Sequence, residues 1–283
     1  MNLGAHMPIA GGIHLALSRG KKANCSVVQI FTKNQMRWES PPLQDREVEI
    51  FLREKRNFFR VFAHSSYLLN LASPDSTLFK KSVSSLAEEM KRCEKLGITM
   101  LVLHPGSHRG RGEKFGIERI STGLKETYSI VGDTNVSILL ETMAGQGDTL
   151  GYKFEHLRDI IAKTGELENL IGVCLDTCHI FSAGYNFTDE KSYARLKEEI
   201  SKTVGLNRIK VIHLNDSKTE LGSRRDRHEH IGQGKIGVKG FYFIITDPDL
   251  RNIPMNLETP KGKEFEEDRE NLAVLRKLRS STL

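Results

Sequence analysis

Two hydrophobic periodicities alternate along the chain. Short runs of apolar, mostly β-branched residues fall at 2–5, 27–31, 60–63, 100–103, 137–140, 172–175, 210–212 and 255–257. Runs this short do not make helices and read as strands. Between them the apolar positions change to helical spacing. Val83, Leu86, Ala87, Met90 and Cys93 fall at i, i+3, i+4, i+7 and i+10, with Gly97 placed to end the helix. Val48, Phe51 and Leu52 mark a second helix, and Ile117, Ile120, Leu124 and Tyr128 a third. Phe154, Leu157, Ile160 and Ile161 precede Gly165 in a fourth, and Tyr193, Leu196, Ile200 and Val204 precede Gly205 in a fifth. Val274, Leu275 and Leu278 lie on a terminal helix. Strand followed by helix, eight times over, predicts an α/β fold with a parallel sheet and right-handed crossovers. Eight such units in 283 residues predict one (β/α)8 barrel domain spanning 1–283. A doubly wound open sheet is the competing architecture, but no G-x-G-x-x-G fingerprint follows any of the strands.

Composition narrows the class. Hydrophobic residues make up 38% of the chain and charged residues 28%, enough for a large core under a charged surface. No apolar run approaches the ~18 residues of a membrane span, so no membrane partner is expected. The opening MNLGAHMPIAGG has neither a basic nor an apolar signal region, and four cysteines are too few for a disulfide scaffold. Both point to a reducing, cytoplasmic, bacterial-type setting, with a monomer as the simplest assembly. Lys plus Arg total 42 against 36 for Asp plus Glu, a net +6 that favours a polyanionic partner such as nucleic acid.

The residue that ends each strand carries the chemistry. His64, His104, Glu141, Asp176, His213 and Glu258 follow six successive strands, separated by 40, 37, 35, 37 and 45 residues. In a barrel all parallel strands end on one face, so these side chains converge on one axis. Packing has no use for a ring of imidazoles and carboxylates there, and like charges would repel unless cations neutralised them. His179 lies three residues after Asp176. The stretch 216–237 has little periodicity and reads as a long functional loop; Asp226 and His228 within it are close enough to share an ion. Five imidazoles and four carboxylates suit two or three ions of zinc, manganese or iron. Cys174 and Cys178 flank Asp176 in a C-x3-C pattern, a weaker thiolate alternative.

These residues sit in blocks that resemble a known family. HSSYLLNLASP (64–74), HPGSH (104–108), ETMAGQG (141–147), GVCLDTCHIFSAGY (172–185), HLNDSK (213–218), GSRRDRHEHIGQGKIG (222–237) and LETP (257–260) are similar to endonuclease IV, the apurinic/apyrimidinic endonuclease family 2. GAHMPIAGG (4–12) and FTKNQMRW (31–38) extend the likeness over essentially the whole chain. The resemblance implies a TIM barrel with three zinc ions: one on His64, His104 and Glu141, a second on Glu141, Asp176, His213 and Glu258, a third on His179, Asp226 and His228. It implies hydrolysis of double-stranded DNA 5′ to abasic sites, leaving a 3′-hydroxyl and a 5′-deoxyribose phosphate, together with cleaning of blocked 3′ ends. Glu141 would be the catalytic carboxylate, positioning the attacking water.

The resemblance also implies DNA contacts from Tyr67, Leu68, Gln35, Met36 and Arg227. Tyr67 and Leu68 would enter the base stack; ordinary core packing beside Leu69 and Leu71 is the alternative. Met36 stands where some members carry Arg, and Ser65 where some carry an acid. Arg224, Arg225 and Arg227 read as phosphate contacts or as a solvated charge run. His6 is expected beside the ligands rather than among them, and His156 on a helix surface. Two other functions compete. A xylose-isomerase-like sugar isomerase or epimerase needs neither the third ligand set nor Tyr67 and Leu68. A non-catalytic metal-dependent DNA binder does not need its ligands at a barrel mouth.

Overall fold

The structure, a computed structural model, describes residues 2–281. Each of the eight apolar runs forms a parallel strand: β1 (Leu3–His6), β2 (Val27–Phe31), β3 (Arg60–His64), β4 (Met100–Leu103), β5 (Ser137–Glu141), β6 (Ile171–Asp176), β7 (Ile209–His213) and, eighth in the barrel, β10 (Met255–Leu257). They close in the order β1-β10-β7-β6-β5-β4-β3-β2. Both faces of these strands are covered, which explains their near-continuous apolar character.

Helices α1 (Leu15–Lys22), α2 (Asp45–Lys55), α3 (Ser76–Lys95), α4 (Glu113–Val131), α5 (Phe154–Thr164), α6 (Thr177–Ala183), α7 (Glu190–Thr203), α8 (Gly237–Thr246) and α9 (Glu266–Ser280) follow the barrel strands in turn, with α6 and α7 both between β6 and β7. Asp75 caps α3 by accepting the Thr77 and Leu78 N–H groups at 2.8 and 2.9 Å. Three helices escape periodic reading. α1 and α6 are short, and α8 contains the unbroken apolar run FYFII, which has no polar face to set a period. The long loop 216–237 is not structureless: β8 (Asp216–Ser217) pairs antiparallel with β9 (His228–Glu229) within it. No helix of the described residues is long and apolar enough to cross a membrane.

The core has two layers. One packs the outer strand faces against the helices. The other fills the barrel with Val27, Phe62, Val102, Leu139, Cys174 and Val211, one from each of six strands. Gly4 takes the matching position of β1, where a Cβ would fall 1.6 Å from the Val27 carbonyl oxygen. His156 is a correction to the sequence reading: it is buried against Glu113 rather than exposed. A hydrogen bond from Tyr152, with the His156 imidazole 3.2 Å away and Lys153 beside it, pulls the Glu113 carboxyl down to about 2.

Two expectations follow. Phe62 fills the barrel beneath the His213 ring, 6.4 Å between centroids. Phe62→Ala should cost about 3–5 kcal/mol of unfolding free energy in urea titration; a loss below about 1 kcal/mol would contradict its place as floor. Because the Glu113 carboxyl is depressed, its contribution is present above about pH 4.5 and lost as pH falls towards 2. Glu113→Gln should flatten the melting temperature between those limits, and an unaltered acid limb would remove the pairing from the stability account.

Candidate metal centre

Strand alternation decides which side chains meet. Side chains two residues apart share a face. One step above Phe62, Val102, Leu139, Cys174 and Val211 stand His64, His104, Glu141, Asp176 and His213. The same step from Val27 gives Gln29, and the ends of β1 and β10 bring in His6 and Glu258. The apolar layer is therefore the floor of the site, and the next inward layer is polar throughout.

Glu141 occupies its centre. Its Oε2 lies 3.1 Å from His64 Nε2 and 3.2 Å from His104 Nε2. Its Oε1 lies 3.2 Å from His213 Nδ1 and 3.3 Å from His179 Nδ1. Glu258 and Asp176 approach His213 Nδ1 at 3.4 and 3.7 Å. Asp226 sits between two further imidazoles, 3.2 Å from His179 Nε2 and 3.1 Å from His228 Nε2. Three sets with ligand atoms within 4.8 Å of one another result: His64–His104–Glu141, Glu141–Asp176–His213–Glu258, and His179–Asp226–His228. The nine ligand candidates of the sequence thus come together, in the grouping the resemblance implied.

The residues fit cations on their own evidence. His64 Nδ1 faces the Ser65 carbonyl at 2.8 Å, His179 Nδ1 the Thr142 carbonyl at 2.7 Å, and His228 Nδ1 the Glu258 carbonyl at 3.2 Å. A ring N–H given to a carbonyl leaves the other nitrogen with a lone pair aimed inward. His179 Nε2 and His228 Nε2 are buried and face the Asp226 carboxylate at 3.2 and 3.1 Å without completing a hydrogen bond to it. Burial works against ionisation of Glu141 and Glu258, but the imidazoles, His213 foremost, outweigh it and hold both carboxyls well below the ordinary range. Burial also disfavours the imidazolium form of His228, yet Asp226 and Asp176 raise it to about 9. Two alternative sets include Cys174 or Cys178. Burial pushes both thiols up to about 12, which disfavours thiolate ligands and leaves a nitrogen and oxygen donor set.

Sequence reasoning missed the residues behind the ligands. Gln29 Oε1 accepts from His213 Nε2 at 2.7 Å, and its Nε2 donates to Glu258. Asn215 Nδ2 donates to Asp176 at 2.6 Å, while its Oδ1 accepts the Glu258 N–H at 2.7 Å. The available signal was a glutamine at an inward position of an otherwise apolar strand. Asp216, fully buried, accepts N–H groups from Ser217, Gly232, Gly234 and Ile236 at 2.8–3.1 Å and so clamps both ends of the loop carrying Asp226 and His228. His6 stands beside Glu258, 3.6 Å away, as expected.

The rim differs in character. Tyr67 and Met36 are 51% and 64% exposed, so core packing does not account for Tyr67, while Leu69 and Leu71 are buried. Leu68 is half-buried and Gln35 partly exposed on the same rim. Arg224, Arg225 and Arg227 are exposed beyond Asp226, with the Arg224 guanidinium 4.8 Å from the centre of the Tyr152 ring. A cavity of about 930 Å³ opens between Tyr67, Glu258, Gln35 and Lys261.

Comparison with known proteins identifies the family and the fold. A family model described as a xylose isomerase-like TIM barrel matches residues 17–278. "Probable endonuclease 4" of Chloroflexus aggregans is 46% identical over 281 residues, covering 97% of this chain and 96% of that protein. The crystal structure of endonuclease IV from Thermus thermophilus superimposes with TM-score 0.86 at 37% identity, covering 98% of each chain. A D-tagatose 3-epimerase-like protein, 18% identical with TM-score 0.72 over 99% of this chain and 98% of that one, shares the fold. The chain belongs to the endonuclease IV family, within the xylose isomerase-like TIM barrels.

Proposed function

We propose that this chain is a DNA-repair hydrolase that cuts the phosphodiester 5′ to abasic sites, leaving a 3′-hydroxyl and a 5′-deoxyribose phosphate, and that it also clears blocked 3′ ends. The observation that carries the reading is the division of Glu141: one carboxylate oxygen faces His64 and His104, the other His213 and His179. A carboxylate so placed can bridge two ions. His64, His104 and Glu141 would hold one zinc, Glu141, Asp176, His213 and Glu258 a second, and His179, Asp226 and His228 a third. Bound there, zinc would supply Lewis-acid charge against a phosphodiester.

The chain's own groups do the rest. Carbonyl partners fix the imidazoles of His64, His179 and His228, so the ligand set is aligned before substrate arrives. Glu141, desolvated and anionic, is placed to orient a water against the scissile phosphate. Tyr67, Leu68, Met36 and Gln35 lie on the rim where a duplex would meet it. Apolar wedges of this kind fill the gap left by a missing base, and an abasic nucleotide is cheaper to turn out than a paired one. Met36 offers bulk without a phosphate-binding donor, so backbone contacts fall to Arg224, Arg225 and Arg227. The cavity beside Tyr67 can take the displaced sugar–phosphate. A sugar-isomerase reading shares the barrel but leaves the third ligand set and the exposed wedge residues without a use.

The deciding assay is incubation with a duplex holding one abasic site, with and without chelator, followed by end-group analysis. Cleavage 5′ to the site that chelator abolishes is expected; turnover on free aldoses with indifference to abasic DNA would replace the reading. Glu141→Gln should lower kcat by more than the roughly 10–100-fold typical of losing a residue behind a metal ligand, with folding retained by circular dichroism. Near-normal turnover by that variant would remove its assigned role. Metal analysis should give about three zinc ions per chain, and Asp226→Ala should lose about one, since it strips only the third set. A wild-type stoichiometry of one would contradict the trinuclear assignment.

A further inference from the structure

The wedge residues stand on two separate loops, and one helix holds both. Gln35 and Met36 follow β2; Tyr67 and Leu68 follow β3. Behind them α3 presents Ser85, Glu88, Glu89 and Arg92, spaced i, i+3, i+4 and i+7 on a single face. Glu89 is 1% exposed, and both its carboxylate oxygens accept the Ser66 backbone N–H, at 3.2 and 3.1 Å. The Lys33 ammonium, equally buried, donates to the Trp38 carbonyl at 2.7 Å, to Ser85 Oγ at 2.8 Å and to Glu88 at 3.1 Å, and lies 3.9 Å from Glu89. Arg92 donates to the Thr32 and Pro41 carbonyls, both at 2.9 Å. The loops are also tied directly: Ser66 Oγ donates to the Gln35 carbonyl at 2.7 Å and accepts the Leu68 N–H at 3.2 Å.

Stability alone does not ask for this arrangement. Apolar residues of similar shape generally hold a helix on a barrel as well as a buried ion pair does. Burial pushes the Glu89 carboxyl up to about 7 even with Lys33 beside it, so keeping a charge there is costly. Every strong contact of the pair ends on the backbone of a wedge loop or on α3 itself. A wedge that must order its loops on binding loses affinity to that entropy, whereas a loop fixed beforehand does not.

We propose that Glu89 and Lys33 are positioning residues that lock the 33–38 and 65–68 loops to α3 and to each other, presetting Met36 and Tyr67 for entry into damaged DNA. This role rests on the functional reading above. Among the described residues neither forms a hydrogen bond or ion pair with a ligand candidate, and Glu89 reaches His64 only through its charge, so its effect belongs in substrate affinity rather than in the chemical step.

The test compares full-length wild type, Glu89→Ala, Glu89→Gln and Ser66→Ala on an abasic duplex, with kcat and KM separated, zinc content measured, and hydrogen exchange followed by mass spectrometry over 32–38 and 65–69. Glu89→Ala should raise KM about tenfold, with kcat within about twofold and zinc unchanged, because a hydrogen bond to a charged group is lost. Both loops should exchange faster while the barrel strands do not. Glu89→Gln, which keeps an oxygen for the Ser66 N–H, should recover most of the KM. An unchanged KM in Glu89→Ala, or equal losses of kcat and zinc in both Glu89 variants, overturns the positioning role. Should Glu89→Ala not fold, Ser66→Ala decides: it removes only the oxygen joining the loops, and an unchanged KM overturns the proposal. Wild-type protein that fails to cut the abasic duplex instead overturns the functional reading, and the wedge role with it.

Discussion

A carboxylate removed from water must be given positive charge or lose its ionisation, and the mouth of this barrel removes several at once. Glu141 and Asp176 have no exposed surface, and Glu258 has little. The layer around them is made of histidine and glutamine, not of lysine or arginine. That choice has a consequence. A fixed cation would satisfy the carboxylates permanently and close the site. An imidazole can hold a proton when nothing else is present and offer a lone pair when a metal ion is. The apolar floor of Val27, Phe62, Val102, Leu139, Cys174 and Val211 lies directly beneath these nine side chains and offers their charges no polar partner from below.

Positioning is layered outward from that centre. Backbone carbonyls of Ser65, Thr142 and Glu258 orient three of the imidazoles, and Gln29 orients a fourth, His213. Asp216 closes the long loop by gathering four backbone N–H groups, which brings Asp226 and His228 back over the strand ends although they lie thirteen and fifteen residues beyond His213 in sequence. The rim is built by another principle. Tyr67 and Met36 project from loops whose backbones are held from beneath by α3, so exposed apolar side chains keep a defined place without being buried.

Much of this was legible in the sequence because a parallel barrel is a repetitive object. The strand period of two and the helical period of 3.6 were both visible, and the repeating unit length put His64, His104, Glu141, Asp176, His213 and Glu258 on one face. The misses have physical causes. His156 lies on a helix and looked exposed, but its partner Glu113 comes from the preceding βα unit. α8 went unseen because an apolar run without polar contrast carries no period. The β8–β9 ladder is two residues a side, too short for a pattern. Gln29, Asn215 and Asp216 act through partners that periodicity does not connect to them.

The sequence by itself determined the architecture, the face on which the chemistry gathers and the identity of the nine ligand candidates, since each depends on spacing within one unit or on its repetition. Tertiary structure alone decided which oxygen of Glu141 faces which histidine, which imidazole nitrogen is left free, that Tyr67 is exposed while Leu69 is buried, and that Glu89 reaches back to the loop after β3. Those outcomes turn on distances of a few ångströms between residues tens of positions apart. Such distances are set only when barrel closure fixes every strand against its neighbours.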